Sequence, residues 1–148
     1  MQFIGYIFFR ILVFLFSLMP FPVLYFHSEL LRFFLFNVFG YRKKVVIQNL
    51  KNSFPERSQS EILILTKKFY RNLSDITLES IKGLSMSKKS LLKRYPVINV
   101  DELDEYYKNK KSIIGLASHY TNWEWGVLSF GLQFKHKCVG LYKPLSNK

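Results

Sequence analysis

Two residues with acid–base side chains, His119 and Glu124, lie five positions apart in one short segment. The segment reads His119-Tyr120-Thr121-Asn122-Trp123-Glu124. A carboxylate beside an imidazole keeps one ring nitrogen protonated, leaves the other as a base, and stabilises the imidazolium that forms. This is the histidine–acid part of a catalytic triad without a protein nucleophile, so the pattern predicts that a substrate hydroxyl is the attacking group.

The same segment has a purely structural interpretation, which the spacing alone favours. Thr121-x-x-Glu124 matches a capping box, in which the glutamate only satisfies the start of a helix. His119 would then be a hydrogen-bonded turn residue. His27 and His136 lie in no comparable pattern and receive no role. The sequence shows no glycine-rich phosphate loop, metal-ligand cluster or zinc spacing, so neither a metal nor a cofactor is expected.

The elements around this segment predict an α/β fold. Residues 112–118 have the length and flanks of a short apolar strand, and residues 123–132 have helical character. His119 would then lie at the carboxyl end of a buried strand, where α/β sheets place ligands. Residues 137–142 are a second strand candidate. Because two strands do not form an independently stable sheet, we expect residues 41–148 to be the N-terminal part of a larger domain, here truncated.

Helices are predicted before these strands. Residues 41–52 are typical of a short basic helix, and a capping box formed by Ser58 and Glu61 predicts the start of a longer one. Gly83 is the predicted end of that longer helix. Apolar residues at three- and four-residue steps predict its buried face: Ile62, Leu65, Phe69, Leu73 and Ile76.

Charged residues also recur at four-residue steps on the longer helix, at Arg71, Asp75 and Glu79. Paired carboxylates can do acid–base chemistry. Charges at this spacing more commonly form a solvated helix face, and we expect that here.

The first 40 residues are predicted to be a membrane anchor. Residues 11–26 carry no charge, and the wider stretch 3–39 is apolar on all sides of a helix. Pro20 and Pro22 should break or kink it, so a kinked transmembrane helix and a re-entrant hairpin both remain open. No small-residue cleavage site follows, which disfavours a signal peptide. The next residues, Arg42-Lys43-Lys44, predict that the basic body faces the cytoplasm.

The composition narrows the class of protein. The 148 residues are 49% hydrophobic and 18% aromatic, which excludes a disordered polyelectrolyte, and Cys138 is the only cysteine, which excludes a disulfide-stapled module. The net charge of +12 predicts anionic partners, with an anionic membrane surface among them. Nucleic acid is not expected, because half of the aromatic residues lie in the first 40 positions and not among the basic ones.

The segment His119-Tyr120-Thr121-Asn122-Trp123-Glu124 resembles the H-x-x-x-x-(D/E) motif of the glycerolipid acyltransferase superfamily. In particular it resembles the bacterial lipid A biosynthesis acyltransferases, the lauroyl and myristoyl transferases, in which the motif commonly reads H-x-x-N-W-E. Further stretches match that family in order: the apolar N-terminus, Tyr41-Arg42-Lys43-Lys44 through Asn49-Leu50, Ser53-Phe54-Pro55-Glu56, Phe69-Tyr70-Arg71-Asn72-Leu73 with Glu79, and Tyr142-Lys143-Pro144-Leu145-Ser146-Asn147.

This resemblance implies roles and partners. His119 would be the general base and Glu124 its orienting partner. The acyl donor would be an acyl-carrier-protein thioester, without any cofactor, and the acceptor a hydroxyl on a phosphorylated lipid A precursor. The enzyme would work at the bacterial inner membrane with its catalytic part facing the cytoplasm. Family members continue well beyond Lys148 with further strands and arginines, so we expect this chain to be a fragment that is inactive alone.

Two other functions remain open. The first is an acyltransferase of the same superfamily that acts on a glycerolipid or an amino-acid lipid. The second is a membrane-tethered basic binding module without catalysis, which the charge of residues 41–148 would support.

Overall fold

A computed structural model of the chain describes residues 2–141, with only the backbone of Gln2. The chain divides into two compact units, the first ending at Ser85 and the second beginning at Met86. The predicted domain boundary after residue 40 lies inside the first unit and stays a prediction. The α-helices are α1 (Gln2–Leu18), α2 (Phe21–Phe33), α3 (Lys43–Ser53), α4 (Gln59–Gly83), α5 (Lys88–Arg94), α6 (Asp104–Lys108) and α7 (Trp123–Gln133).

Two short helices of other types complete the fold. A π-helical turn (Phe34–Val38) continues α2, and a 3-10 turn (Val100–Leu103) precedes α6. The predicted helix over residues 41–52 is confirmed as α3. The capping box at the start of α4 is confirmed as well: Glu61 N donates to Ser58 Oγ at 3.3 Å, and Ser58 N donates to Glu61 Oε2 at 2.9 Å.

The apolar N-terminus is split at its two prolines, as predicted. Helix α1 ends at Leu18, and Pro20 is the N-cap of α2 with Pro22 in the first turn. Proline is tolerated there because the backbone N–H groups in the first turn of a helix have no acceptor within the helix, so a missing N–H costs no hydrogen bond. Among the described residues, no helix combines the length and the apolar character needed to cross a membrane. The prediction of a transmembrane anchor helix within residues 1–40 is therefore wrong, since the prolines end α1 after 17 residues.

Helix α4 packs on α2 and buries a face that only partly matches the predicted one, since Ile62 is buried as predicted. Phe69, also predicted to be buried, is 40% exposed, because the other buried residues belong to the neighbouring row of the helix. Thr66 and Ser74 belong to this row, and their small size lets the two helices approach closely. The buried row consists of residues at every fourth position: Ile62, Thr66, Tyr70, Ser74, Leu78 and Lys82.

Polar contacts join α2 and α4 beside this row. Ser28 Oγ donates a hydrogen bond to Asp75, and Tyr25 Oη donates to Glu79 Oε1 at 2.6 Å. Arg71 pairs with Glu29 of α2 instead of with Asp75 on its own helix. The expectation that these α4 charges form only a solvated face is therefore wrong.

Lys82 ties the C-terminal end of α4 to the end of α1. Its side chain is 8% exposed, and Nζ donates to the carbonyl oxygens of Phe16, Ser17 and Met19 at 2.9, 2.7 and 2.8 Å. The last carbonyl groups of a helix have no intrahelical donor, and a cation at this end also suits the helix dipole.

In the second unit, α5 packs against α7 through Tyr95, which directly follows α5. The carbonyl oxygen of Tyr95 accepts a hydrogen bond from Gln133 Nε2 at 3.0 Å, and Gln133 Oε1 accepts from Val97 N at 2.8 Å. The Tyr95 ring lies against α7 beside Gly126, where a Cβ would come within 2.9 Å of the phenol oxygen. The glycine is therefore what allows this close contact.

The described residues, 2–141, contain no β-strand, so the α/β fold class predicted above is wrong. Residues 112–118 are irregular, and Ile114 and Leu116 are 89% and 95% exposed. Residues 137–141 are also irregular, and Tyr142 lies outside the described residues. The two apolar runs have strand-like composition, but strand propensity is realised only against partner strands, which the described residues do not supply.

Candidate active site

The candidate site lies where the chain turns into α7. Asn122 is the N-cap of this helix, and its Oδ1 accepts a hydrogen bond from Trp125 N at 3.1 Å. The cap therefore belongs to Asn122 and not to Thr121, so the interpretation of Thr121 and Glu124 as a capping box is wrong. Glu124 is left without a capping role.

Thr121 is in an unusual backbone conformation directly before the cap. Its φ is +54°, in the left-handed region that β-branched residues rarely adopt. Such a conformation costs on the order of 1–3 kcal/mol and is found at sites that the surrounding structure holds in place. The residue in this conformation lies between His119 and the first residue of α7.

His119 is exposed and lies against an aromatic ring of α7. The centroids of the His119 imidazole and the Trp123 indole are 4.6 Å apart, with the rings inclined by 64°. The two rings are therefore in an edge-to-face contact. Within residues 2–141 the imidazole forms no hydrogen bond to protein, so both of its nitrogens are accessible to a substrate.

Glu124 lies in the first turn of α7 and is half-buried. In the part of the chain that the structure describes, its carboxylate and the His119 imidazole are not hydrogen-bonded to each other. The structure therefore brings His119 onto Trp123 and leaves Glu124 one residue further along the helix. Catalytic hydrogen bonds often tighten only in the substrate complex. The pairing of His119 with Glu124 stays a prediction.

The start of α7 is anchored by buried residues behind the site. Trp125 is 5% exposed, and Gly126 and Ser129 are buried on the side of α7 that meets Tyr95. Ser129 Oγ donates to the Tyr95 carbonyl oxygen at 3.4 Å. This packing fixes the first turn of the helix, and with it the backbone of Trp123 and Glu124.

Sequence reasoning missed the aromatic contact of Trp123 and the support by Tyr95. The available signal was the small pair Gly126 and Ser129, three positions apart on one helix face, which is typical of a close packing contact. In residues 2–141, His, Cys, Asp and Glu side chains form no group of three or more that could hold a metal ion.

Comparison with known proteins identifies the family to which this sequence belongs. The family described as bacterial lipid A biosynthesis acyltransferase matches residues 1–148, and the chain belongs to this family. The resemblance stated above is thereby confirmed.

One relative is the lipid A biosynthesis lauroyltransferase of Escherichia coli (strain K12). It is 24% identical to this chain over 129 residues, which are 87% of this chain and 42% of the relative. The chain thus spans less than half of the length of that relative. No solved structure matches the chain.

Proposed function

We propose that the protein transfers a fatty acyl group from an acyl-carrier-protein thioester to a hydroxyl of a lipid A precursor. Membership in the family supports the reaction class. The observation that carries the proposal is the exposed His119 imidazole, presented by the strained turn at Thr121 immediately before the Asn122-capped α7. Removal of a proton from a hydroxyl requires a base that the substrate can reach and that is held in position. An exposed imidazole next to the fixed start of a helix meets both requirements.

In the proposed reaction, a ring nitrogen of His119 takes the proton of the acceptor hydroxyl as its oxygen attacks the thioester carbonyl carbon. A C–O bond forms and a tetrahedral intermediate follows. The C–S bond then breaks, and the imidazolium returns the proton to the departing thiolate sulfur. No acyl group is attached to the protein, because the attacking oxygen belongs to the substrate.

Glu124 would orient the imidazole and stabilise the imidazolium. Its place in the first turn of α7, half-buried and without a capping role, suits a carboxylate that serves a neighbouring group. The proposal requires the Glu124 carboxylate to turn toward the imidazole, which stays against Trp123, when the substrates bind. Glu124 is only half-buried, which leaves its side chain the room for this movement.

The proposed partners are an acidic carrier protein and a phosphorylated lipid, and the proposed location is the cytoplasmic face of the inner membrane. A net charge of +12 favours association with both partners. Many aromatic side chains of α1 and α2 are exposed, including Phe3, Phe8 and Phe26 at 73%, 68% and 70%, which suits work on an amphiphilic acceptor.

The test is an acyl-transfer assay with the protein expressed from its natural reading frame. Acyl carrier protein charged with a labelled fatty acid is supplied together with a hydroxylated lipid A precursor, and the product is identified by its mass. The expected result is one added acyl ester on the precursor. Transfer to a glycerolipid or an amino-acid lipid in place of the precursor would overturn the proposed acceptor. Binding of lipid without any transfer would favour the binding module.

A further inference from the structure

A cavity of about 220 Å³ in the first unit is lined almost entirely by basic side chains. Arg32 comes from α2, and the other lining residues come from α4. We call the four basic residues the basic cluster: Arg32, Lys67, Lys68 and Arg71. The fifth lining residue is Ile64. The cluster contains none of the residues proposed for catalysis.

Glu29 orders the two arginines of the basic cluster. Its Oε2 accepts a hydrogen bond from Arg32 Nε at 2.7 Å, and its Oε1 accepts one from Arg71 Nε at 2.7 Å. Within residues 2–141, Nε is the only nitrogen of either guanidinium that is hydrogen-bonded to protein. The terminal amino groups of both arginines therefore remain available as fixed donors for a ligand.

Glu29 is ionised under ordinary conditions. The hydrogen bond from Arg32 lowers the pKa of this carboxyl below its usual value of 4.5; burial opposes this effect, and the hydrogen bond from Arg71 adds to it. Because four basic residues line the cavity and Glu29 adds one negative charge beside them, the net charge at the cavity is positive. Glu29 thus orients the arginines without neutralising the site.

The arrangement of the lysines is unfavourable for α4 on its own. Lys67 and Lys68 are exposed and lie four and three positions before Arg71, so like charges occupy one helix face. Each such pair of like charges slightly destabilises a helix. A bound anion would remove this repulsion, whereas a merely solvated face would spread its charges or alternate their signs.

The chemistry of the donors favours a phosphate group. A guanidinium presents parallel N–H donors that match the oxygens of a phosphate, and ammonium groups add compact charge. The one apolar lining residue, Ile64, is 54% exposed beside the basic side chains. A ligand that joins a phosphate to an apolar part suits this lining better than a free ion.

We propose that the basic cluster binds a phosphate monoester carried by an amphiphile. The basic cluster belongs to the first unit and the His119 motif to the second, and occupation of the cluster requires no acyl transfer. Its failure in the test below would therefore leave the proposed reaction untouched, and the failure of the reaction would leave this site untouched.

The test measures binding of the chain to phosphatidylcholine vesicles that contain phosphatidic acid, whose headgroup is a phosphate monoester. The variant Lys67→Gln/Lys68→Gln should bind about 30-fold more weakly, since each basic residue near an anionic surface contributes about one kcal/mol. Lys67→Arg/Lys68→Arg should keep the affinity. The matched control is Lys88→Gln/Lys89→Gln, which removes the same charge from two exposed residues of α5 and should bind like the wild type.

Equal weakening in the cluster variant and the α5 control would overturn the proposal, because net charge alone would then explain binding. Unchanged binding of the cluster variant would overturn it as well. Vesicles in which a fatty acid supplies the same negative charge as a carboxylate test whether the cluster recognises the phosphate group. Equal affinity for these vesicles would contradict the proposal. Binding of inorganic phosphate tests whether the ligand must be an amphiphile. We expect inorganic phosphate to bind weakly, and binding as tight as that of the vesicles would contradict the proposal. Circular dichroism of each variant checks that its helices are formed.

Discussion

The imidazole of His119 lies edge-to-face against the indole of Trp123, with ring centroids 4.6 Å apart. This contact links the exposed candidate base to the first residue of α7. The buried residues Trp125 and Gly126 fix the first turn of α7 by packing inside the second unit. The position of the imidazole therefore depends on this packing. Trp123 is thus a positioning residue for the proposed chemistry.

Removal of the indole should reduce turnover more than substrate binding. Trp123→Ala is expected to lower kcat about 10-fold with little change in KM, because an aromatic pair contributes about 0.5–1.5 kcal/mol. Trp123→Phe keeps an aromatic face and should restore most of the rate. Steady-state kinetics of acyl transfer measures both constants. A KM effect alone, or equal loss in the Ala and Phe variants, would contradict a positioning role.

Loss of the Lys82 ammonium should destabilise the first unit. Lys82→Met keeps much of the side-chain volume but leaves the carbonyl oxygens of Phe16, Ser17 and Met19 without this donor. The free energy of unfolding should fall by about 2–4 kcal/mol, since buried unsatisfied groups are expensive. Urea denaturation measures it. Lys51→Met, at an exposed position on α3, is the control and should change stability by less than about 0.5 kcal/mol.

Two glycines of α7 should respond in opposite ways to alanine. At Gly131 nothing lies within 4 Å of a new Cβ, so Gly131→Ala should stabilise the protein by about 0.5–1 kcal/mol through helix propensity. At Gly126 the Cβ would come within 2.9 Å of the Tyr95 phenol oxygen and 3.1 Å of its ring carbon. Overpacking of this kind costs about 1–3 kcal/mol, which outweighs the propensity gain. Thermal unfolding followed by circular dichroism compares the two, and a stabilised Gly126→Ala variant would refute the Tyr95 contact.

The capping box of α4 should contribute a pH-dependent stability. Hydrogen bonds from Arg57 first, and then from the Ser58 backbone and hydroxyl, lower the pKa of Glu61 from 4.5 to about 2. A lowered pKa in the folded state stabilises the protein above pH 4.5 and ceases to do so as the pH falls to about 2. Glu61→Gln should therefore be less stable than the wild type at neutral pH and similar to it below pH 2. Because Glu61 is exposed, salt should weaken the difference, and a difference that persists below pH 2 would contradict the assignment.

Features encoded locally could be predicted from the sequence. The capping box at Ser58 and Glu61 needs residues three positions apart, and the break at Pro20 follows from one residue's missing N–H. Helix α4 ends at Gly83 as predicted, although Gly83 does not adopt the left-handed conformation of a glycine cap. Each of these signals acts within one turn of helix.

Features that depend on distant partners could not be predicted. Phe69 is exposed because, apart from Ile62, the buried row of α4 is not the one that its apolar spacing indicated. Asp75 accepts a hydrogen bond from Ser28, a residue of another helix. Residues 112–118 have strand composition but no partner strand among the described residues. In the candidate site, the motif could be recognised in the sequence. The contact of His119 with Trp123 could not be predicted, because it depends on the backbone conformation at Thr121.

The central claim is that His119 acts as the general base, and the most direct measurement is the kcat/KM of acyl transfer by His119→Ala. The protein is expressed from its natural reading frame, with His136→Ala as the control outside the motif. The account predicts a loss of about 10²–10⁴-fold for His119→Ala, a smaller loss for Glu124→Gln, and full activity for the control. A His119→Ala variant that transfers acyl groups at the wild-type rate would contradict it.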